Sequence, residues 1–291
     1  MESNRRCFLK TSGLLALSSL STDFATDCTA ADAPAAKAPK FDFYVMDTGL
    51  RGADVPTLES KVQLAKKLGF VGIGYTLNHR ELPRFLELLD KERLELSAVY
   101  TTPQLEAEID PGLAESIKHM KGRKTRIELA IGSKKFKPSE VEGDKKGVDL
   151  LKAVSDMAAE TGPVVSIYPH IGSWTERVED GVRLAKQVAR KNVGTHFNLV
   201  HWSWVAKKKP LPELLTEALP HLFAVTINGL DGKKIVSLDQ GDYDIDAFLA
   251  LLKKTGYHGP VGLQGYSVPG PSGEHLQRSM KKWQESIKKL Q

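Results

Sequence analysis

The feature that most constrains the fold is a strict alternation of strand-like and helix-like segments from Phe41 onward. Strand-like runs lie at 42–47, 70–75, 95–100, 126–131, 163–168, 193–198, 222–228 and 260–264. Helix-like runs lie at 57–68, 79–92, 112–121, 146–161, 176–190, 211–219, 244–255 and 273–289. Alternating strands and helices with short connections imply a parallel sheet, and eight units favour its closure. The sequence predicts an α/β fold with one domain at 41–291, a single (β/α)8 TIM barrel.

Local signals support these boundaries. Thr57, after Pro56, is a good N-cap, and apolar residues recur after it at helical spacing. Gly69 then ends the first helix and a strand begins at Phe70. The late segment from Gly256 to Val261 repeats this helix–glycine–aromatic–strand order, as a repeated βα unit would.

Residues 1–40 have a different composition and predict a leader. Arg5 and Arg6 precede a short apolar run, Leu14 to Leu20, which is too short to span a bilayer. This arrangement resembles a twin-arginine export signal and predicts a periplasmic or other extracytoplasmic location without a stable membrane span. Both cysteines, Cys7 and Cys28, lie in this segment, so the barrel is expected to have no disulfide.

The net charge of +5 does not by itself indicate an anionic partner. The lysines are scattered through helix-like segments and short clusters, as on a solvated surface. No recognition helix, zinc finger or RNA-binding signature accompanies them, so no nucleic-acid partner is expected. The sequence leaves the oligomeric state open.

Polar side chains follow the last four predicted strands at the point where each strand ends. Because side chains alternate along a strand, the polar ends face the barrel axis and their apolar neighbours face the helices. Polar groups at the carboxyl ends of successive parallel strands mark the site of a barrel. The residues are Tyr168 and His170 after the fifth strand, Asn198 and His201 after the sixth, Asn228 after the seventh and Gln264 on the eighth.

These strand ends, the Asn-x-x-His spacing and the Gly256–Val261 segment resemble the xylose isomerase-like barrels over roughly residues 41–289. The resemblance implies sugar isomerisation, epimerisation or a related reaction. Metal-dependent members hold a divalent cation with Glu, Asp, His and Glu at strands five to eight. The corresponding positions here are occupied by Tyr168, Asn198, Asn228 and Gln264, while the substrate-contacting His is kept as His201.

This departure predicts that the usual Mn²⁺ or Mg²⁺ site is absent and that the protein has no cofactor. Hard cations require anionic oxygen ligands, and the amides and phenol supply none. The alternative is a shifted divalent-metal site built from His170, His201 and Glu128.

The remaining candidates are acid–base groups and aromatic rings. His170, His201 and Glu128 are the predicted catalytic residues, because imidazole titrates near neutrality and a carboxylate within a strand requires a partner. Glu128 could equally face outward and pair with Arg126. The predicted substrate-binding residues are Tyr168, Asn198, Asn228, Gln264, Tyr100, Tyr75 and Trp202. Trp204 fits a sugar face and packing beneath a loop equally well.

The expected function is therefore that of an exported enzyme acting on a small-molecule carbohydrate or keto-sugar. It would remove a proton next to a carbonyl, leading to isomerisation, epimerisation or β-elimination, without the usual metal. The alternative is a non-catalytic barrel that binds carbohydrate or serves as the partner of a catalytic subunit.

Overall fold

The computed structural model describes residues 41–290, and it confirms the predicted barrel. The barrel strands are β1 (Phe43–Met46), β2 (Gly72–Thr76), β3 (Glu95–Thr101), β4 (Arg126–Leu129), β5 (Val164–Ile167), β6 (Val193–Asn198), β7 (Leu222–Ile227) and β10 (Val261–Leu263). All neighbouring pairs are parallel, and the sheet closes in the order β1-β10-β7-β6-β5-β4-β3-β2. β5 is four places from β1 in this ring, so the two strands lie on opposite sides of the barrel.

The helices surround the barrel and largely match the predicted segments. They are α1 (Leu58–Leu68), α2 (Leu82–Glu92), α3 (Pro111–His119), α4 (Asp144–Ala159), α5 (Val178–Val188), α6 (Leu199–Trp204), α7 (Leu211–Ala218), α8 (Ile245–Lys254) and α9 (Ser272–Lys289). The six-residue α6 and an antiparallel hairpin of β8 (Gly229–Asp231) and β9 (Lys234–Val236) were not predicted. Among residues 41–290, no helix has both the length and the hydropathy of a membrane-crossing segment. The predicted export signal lies outside the described residues.

α1 shows how the local sequence sets these boundaries. Thr57 accepts a hydrogen bond from the Ser60 amide, and the Ser60 side chain accepts one from the Thr57 amide, which forms a capping box. Gly69 ends the helix at φ = 88°, in the left-handed region that glycine adopts without strain. Val62 and Ala65 are buried beneath the helix. Both predicted ends of α1 are therefore confirmed.

The barrel interior contains polar side chains, among them Tyr44, Arg126 and Glu128. The buried Tyr44 ring occupies space left by glycines on the two neighbouring strands: a Cβ on Gly262 would lie 2.5 Å from Tyr44 Cζ, and one on Gly74 would lie 3.2 Å from Tyr44 Cε2. The Arg126 guanidinium lies 4.9 Å from the centre of the same ring, and Glu128 is completely buried nearby. Glu128 therefore faces the barrel axis, which resolves the two orientations that the sequence allowed.

Candidate active site

A cavity of about 350 Å³ opens at the carboxyl ends of the barrel strands. This is the end at which barrel enzymes place their sites, and the volume lies near the lower limit for small-molecule pockets. The wall is formed by the carboxyl ends of β1, β2 and β3, by the loops after β1, β5 and β10, by α6 and by β9. Its lining residues are Met46, Thr48, Arg51, Thr76, Tyr100, Tyr168, His170, Ile171, Val200, His201, Trp204, Ile235, Gln264 and Tyr266.

Two histidines stand side by side in this wall. The rings of His170 and His201 have centroids 4.1 Å apart and are tilted by 46°. His170 Nδ1 lies 2.8 Å from the carbonyl oxygen of Ile171, which can only accept a hydrogen bond, so this nitrogen carries the proton. The neutral ring therefore keeps Nε2 as an acceptor. The structure brings together the two histidines that the sequence singled out.

Burial keeps both imidazoles neutral. It lowers the pKa of His170, although the hydrogen bond to Ile171 opposes this effect. Burial, with smaller contributions from His170 and His196, lowers the pKa of His201 to about 3. A base is most useful when its pKa is near the working pH, so His201 is a weak base at neutral pH. His170, whose ring is more exposed, is the better base of the two.

Asn198 connects the histidines to Tyr168. Its Oδ1 accepts a hydrogen bond from the backbone N–H of His201 at 3.1 Å and caps α6, which carries that histidine. Because Oδ1 is fixed as the acceptor, Nδ2 is the atom that donates to the Tyr168 hydroxyl oxygen. Asn198 is buried and does not line the cavity. It therefore positions Tyr168 and His201 instead of contacting a ligand.

Tyr168 lines the cavity and keeps its hydroxyl protonated. Burial, reinforced by the charge of Glu128, raises the pKa of Tyr168 well above its usual value. Its oxygen already accepts from Asn198, so its own proton is available to a ligand. Burial and Glu128 likewise raise the pKa of Tyr100 to about 12. The two phenol rings meet edge to face, with centroids 5.1 Å apart.

Gln264 provides a further donor beside β1. Its Oε1 accepts from the Gly265 amide at 3.1 Å and from the Thr48 hydroxyl, which fixes the orientation of the side-chain amide. The Nε2 group is left to donate into the cavity. The predicted position of Gln264 at the site is therefore what the structure shows.

Glu128 lies beneath the cavity and does not form part of its wall. Its Oε1 is 3.8 Å from Arg126 Nε and 3.3 Å from His196 Nδ1. Neither carboxylate oxygen has a hydrogen-bond partner with good geometry among residues 41–290. Glu128 was predicted to be catalytic, but it is not among the residues that line the cavity, so it has no direct contact with a ligand bound there.

Two further predicted binding residues, Tyr75 and Asn228, are not part of the cavity wall. Tyr75 stacks on Phe85 of α2 at 4.4 Å and donates to Glu81, because β2 turns this side chain towards the helices. Asn228 is fully buried, and its Nδ2 donates to the Gly229 carbonyl oxygen. Neither side chain lines the cavity.

Of the two tryptophans of α6, the predicted binding residue Trp202 does not line the cavity, and Trp204, which the sequence left open, does. Trp202, the predicted one, packs on Phe197 at 5.9 Å and lies under the Lys207 ammonium at 5.0 Å. Trp204 lines the cavity instead. The reason is that α6 turns successive side chains to different faces, and the helix was too short to be predicted from its periodicity.

Arg51 and Ile235 are site residues that the sequence interpretation missed. Arg51 lies in the loop after β1, and Ile235 lies in the hairpin of β8 and β9. A basic residue soon after a strand end was the available signal for Arg51. Nothing in the local sequence indicates that Ile235 folds back over the barrel mouth.

The donor set does not fit the divalent cation that the fold suggests. The equivalent positions supply a phenol and three amides, and Asn198 and Asn228 spend a donor or acceptor on protein groups. Within residues 41–290, no group of three or more His, Cys, Asp or Glu side chains is placed to hold a metal ion. The alternative metal site is not assembled either, because His170 and His201 line the cavity and Glu128 does not.

Solved structures of similar fold include several sugar epimerases. A 3-keto-D-glucoside 4-epimerase from E. coli matches with a TM-score of 0.69 and 16% identity, covering 84% of this chain and 99% of that one. A D-allulose 3-epimerase from Methylomonas sp. matches with a TM-score of 0.69 and 15% identity, covering 85% and 98%. A D-psicose 3-epimerase from Clostridium cellulolyticum matches with a TM-score of 0.67 and 13% identity, covering 86% and 100%. These likenesses establish the fold.

Comparison at the level of sequence gives the family. No curated protein matches the chain. A family model described as xylose isomerase-like TIM barrel matches residues 62–290, which is most of the chain. The match includes β2 to α9 and therefore the strand ends that carry both histidines, Tyr168 and Gln264. The chain belongs to the xylose isomerase-like TIM barrel family.

Proposed function

We propose that this protein is an enzyme that removes a proton next to the carbonyl of a sugar or keto-sugar, without the divalent cation that the family resemblance implies. The observation that carries the proposal is the pair of neutral histidines at the cavity, beside hydrogen-bond donors that bear no negative charge. Solved relatives of this fold are described as epimerases of a 3-keto-glucoside and of ketoses. A monosaccharide or small keto-glycoside also suits the size of the cavity.

His170 is the base in this mechanism. Its Nδ1–H is held by the Ile171 carbonyl oxygen, which leaves Nε2 as the unprotonated nitrogen of a ring that lines the cavity. That atom takes the proton from the carbon adjacent to the carbonyl. The chain has no carboxylate in the cavity wall among residues 41–290, so His170 is the group with the most suitable pKa.

Neutral donors stabilise the oxyanion that develops on the carbonyl oxygen. Tyr168 offers its hydroxyl proton, Gln264 its Nε2–H, and His201 a neutral imidazole. His201 Nδ1 is buried without a partner, and since a buried orphan N–H is rarer than an orphan acceptor, the proton is assigned to Nε2. Fixed donors in a dry site stabilise a developing charge without reorganisation. They suit a substrate whose C–H is already acidic, such as a 3-keto-glycoside.

The placement of the histidines bears on the stereochemistry. Their ring centroids are 4.1 Å apart, so no sugar fits between them and both act on the same side of the substrate. A proton removed and returned on one side gives isomerisation, and loss of a β-group gives elimination. Epimerisation requires a second proton carrier on the opposite side, where the wall is formed by Thr48, Arg51, Gln264 and Tyr266 and contains neither a histidine nor a carboxylate. The geometry therefore favours isomerisation or β-elimination over epimerisation.

The test is deuterium uptake from D₂O, followed by NMR, with a panel of ketoses, aldoses and 3-keto-glycosides. Exchange or elimination that persists in the presence of a chelator is the expected result. Activity abolished by the chelator and restored by a divalent ion would overturn the metal-free mechanism. No exchange across the panel, together with saturable sugar binding, would favour the non-catalytic carbohydrate-binding barrel.

The variant His170→Asn links the activity to the site. It should abolish exchange while sugar binding is largely retained, because the cavity wall loses a base and keeps its shape. His258→Asn is the matched control, since His258 is exposed and precedes β10 at the other end of the barrel. Equal losses in the two variants would argue against a role of His170 in proton transfer.

We also propose export by a twin-arginine pathway, on the evidence of Arg5, Arg6 and the apolar run that follows. Replacement of both arginines by lysine should retain the protein in the cytoplasmic fraction. Unchanged periplasmic recovery of this double variant would refute the proposal.

A further inference from the structure

Arg51 carries the only permanent charge in the cavity wall formed by residues 41–290. The other ionisable side chains there are tyrosines and the two histidines. Tyr100 and Tyr168 are held protonated by burial, and His170 and His201 are held neutral by burial, as described above. The wall is therefore neutral except at one place, where it is positive.

The guanidinium of Arg51 has most of its donors uncommitted. Within residues 41–290 it makes one hydrogen bond, from Nη2 to Thr76 Oγ1 at 3.2 Å. Its nearest carboxylate, Asp47, is 3.9 Å away and already accepts from the Thr76 amide at 3.0 Å and the Thr76 hydroxyl at 2.8 Å. A guanidinium has five N–H donors, so the planar fork remains available to a ligand. Asp47 and Thr76 hold the Arg51 side chain in place and leave most of its N–H donors free.

Arg51 and His170 approach a ligand from opposite sides of the barrel. Arg51 follows β1 and His170 follows β5, which lies four places away in the ring of eight strands. Both side chains line the same cavity of about 350 Å³. A monosaccharide could therefore contact Arg51 with one end while its reacting carbon faces the histidines.

We infer that the substrate is a sugar acid, in which a carboxylate binds Arg51 while the carbonyl end lies at His170 and His201. This inference rests on the proposed function, which places the proton transfer at the histidines. A carboxylate is favoured over a phosphate because one guanidinium fork matches its planar pair of oxygens and its single charge. A phosphate dianion would leave one charge without a cation in this part of the wall.

The experiment measures binding of acid and neutral probes by titration calorimetry with the full chain. Methyl β-D-glucuronide is compared with methyl β-D-glucoside, and D-gluconate with D-glucitol, because each pair differs mainly in the carboxylate. Each acid should bind at least as well as its neutral counterpart, and at least one should bind about tenfold more tightly, as for a charge-assisted hydrogen bond. Added salt should weaken only the binding of the acids.

Arg51→Gln should remove this preference by weakening acid binding about tenfold more than neutral binding. Arg51→Lys, which keeps the charge and loses the fork, should show an intermediate loss. The control is Arg84→Gln, since Arg84 on α2 is similarly exposed (57% against 50% for Arg51) and lies outside the cavity wall. It should leave both affinities unchanged.

Two results of the binding experiment would overturn the inference. One is the absence of saturable binding by both acids, and the other is an equal loss of acid and neutral binding in Arg51→Gln, which would show that Arg51 acts only through the fold of its loop. Deuterium exchange into neutral keto-sugars that does not depend on Arg51 would also refute it while leaving the proposed function intact. Acid binding that depends on Arg51, without any deuterium exchange, would refute the proposed function and leave the acid-binding role of Arg51 intact.

Discussion

The role of Asn198 in positioning Tyr168 and His201 can be tested through the stability of variants at this residue. It makes two buried hydrogen bonds, one accepted from the His201 amide and one donated to the Tyr168 hydroxyl. Loss of an N-cap costs about 1 kcal/mol, and loss of the partner of a buried polar group costs about 1–3 kcal/mol. Asn198→Ala should therefore lower the free energy of unfolding by roughly 2–4 kcal/mol.

Two further variants separate the contributions. Asn198→Ser keeps an oxygen that can cap α6 and removes only the donor to Tyr168, so about half of the loss is expected. Thr57→Ala removes an N-cap on α1, far from the cavity, and should cost about 1 kcal/mol with no effect on catalysis. Both Asn198 variants should slow deuterium exchange, because Tyr168 is no longer held in place.

The assay is urea denaturation followed by circular dichroism, with exchange measured on the same samples. A loss of stability in Asn198→Ala no larger than in Thr57→Ala would refute the claim that Asn198 makes two contributions. Equal losses in the serine and alanine variants would show that the Tyr168 contact dominates and that the cap is unimportant. Full exchange activity in Asn198→Ser would refute its positioning role.

Three further predictions follow from buried charged and titratable groups. Since the pKa of His170 is lowered, the acid limb of the rate profile should lie below about 6.5, the ordinary value for histidine, and an acid limb above that value would contradict its assignment as the base. Burial lowers the pKa of His201 to about 3, below its value in the unfolded chain. The contribution of neutral His201 to stability is therefore present above about pH 6.5 and is lost as the pH falls towards 3. In His201→Gln the unfolding free energy should depend less on acid pH. Glu128→Gln leaves the buried Arg126 without a counter-charge and should lower the free energy of unfolding by about 3 kcal/mol. Asp149→Asn, in an exposed pair with Lys145, should change it by less than about 0.5 kcal/mol. Equal changes in the two variants on denaturation would refute the importance of burial.

The sequence by itself determined the barrel and the strand ends at which the site lies. Alternating apolar and polar positions fix which side of each strand is buried, and capping residues such as Thr57 and Gly69 fix where helices begin and end. These are local properties, read over a few residues. They placed His170, His201 and Gln264 correctly at the mouth of the barrel.

The tertiary structure decided which of these polar groups reach a ligand. Whether Asn198 contacts the substrate or holds Tyr168 depends on a neighbour thirty residues away in the chain. The choice of Trp204 over Trp202 depends on the orientation of a helix too short to have a readable period. Arg51 joins the site only because β1 closes against β10, since ring closure brings the two ends of the barrel sequence together. Contacts across the barrel are non-local, and no pattern within one βα unit contains them.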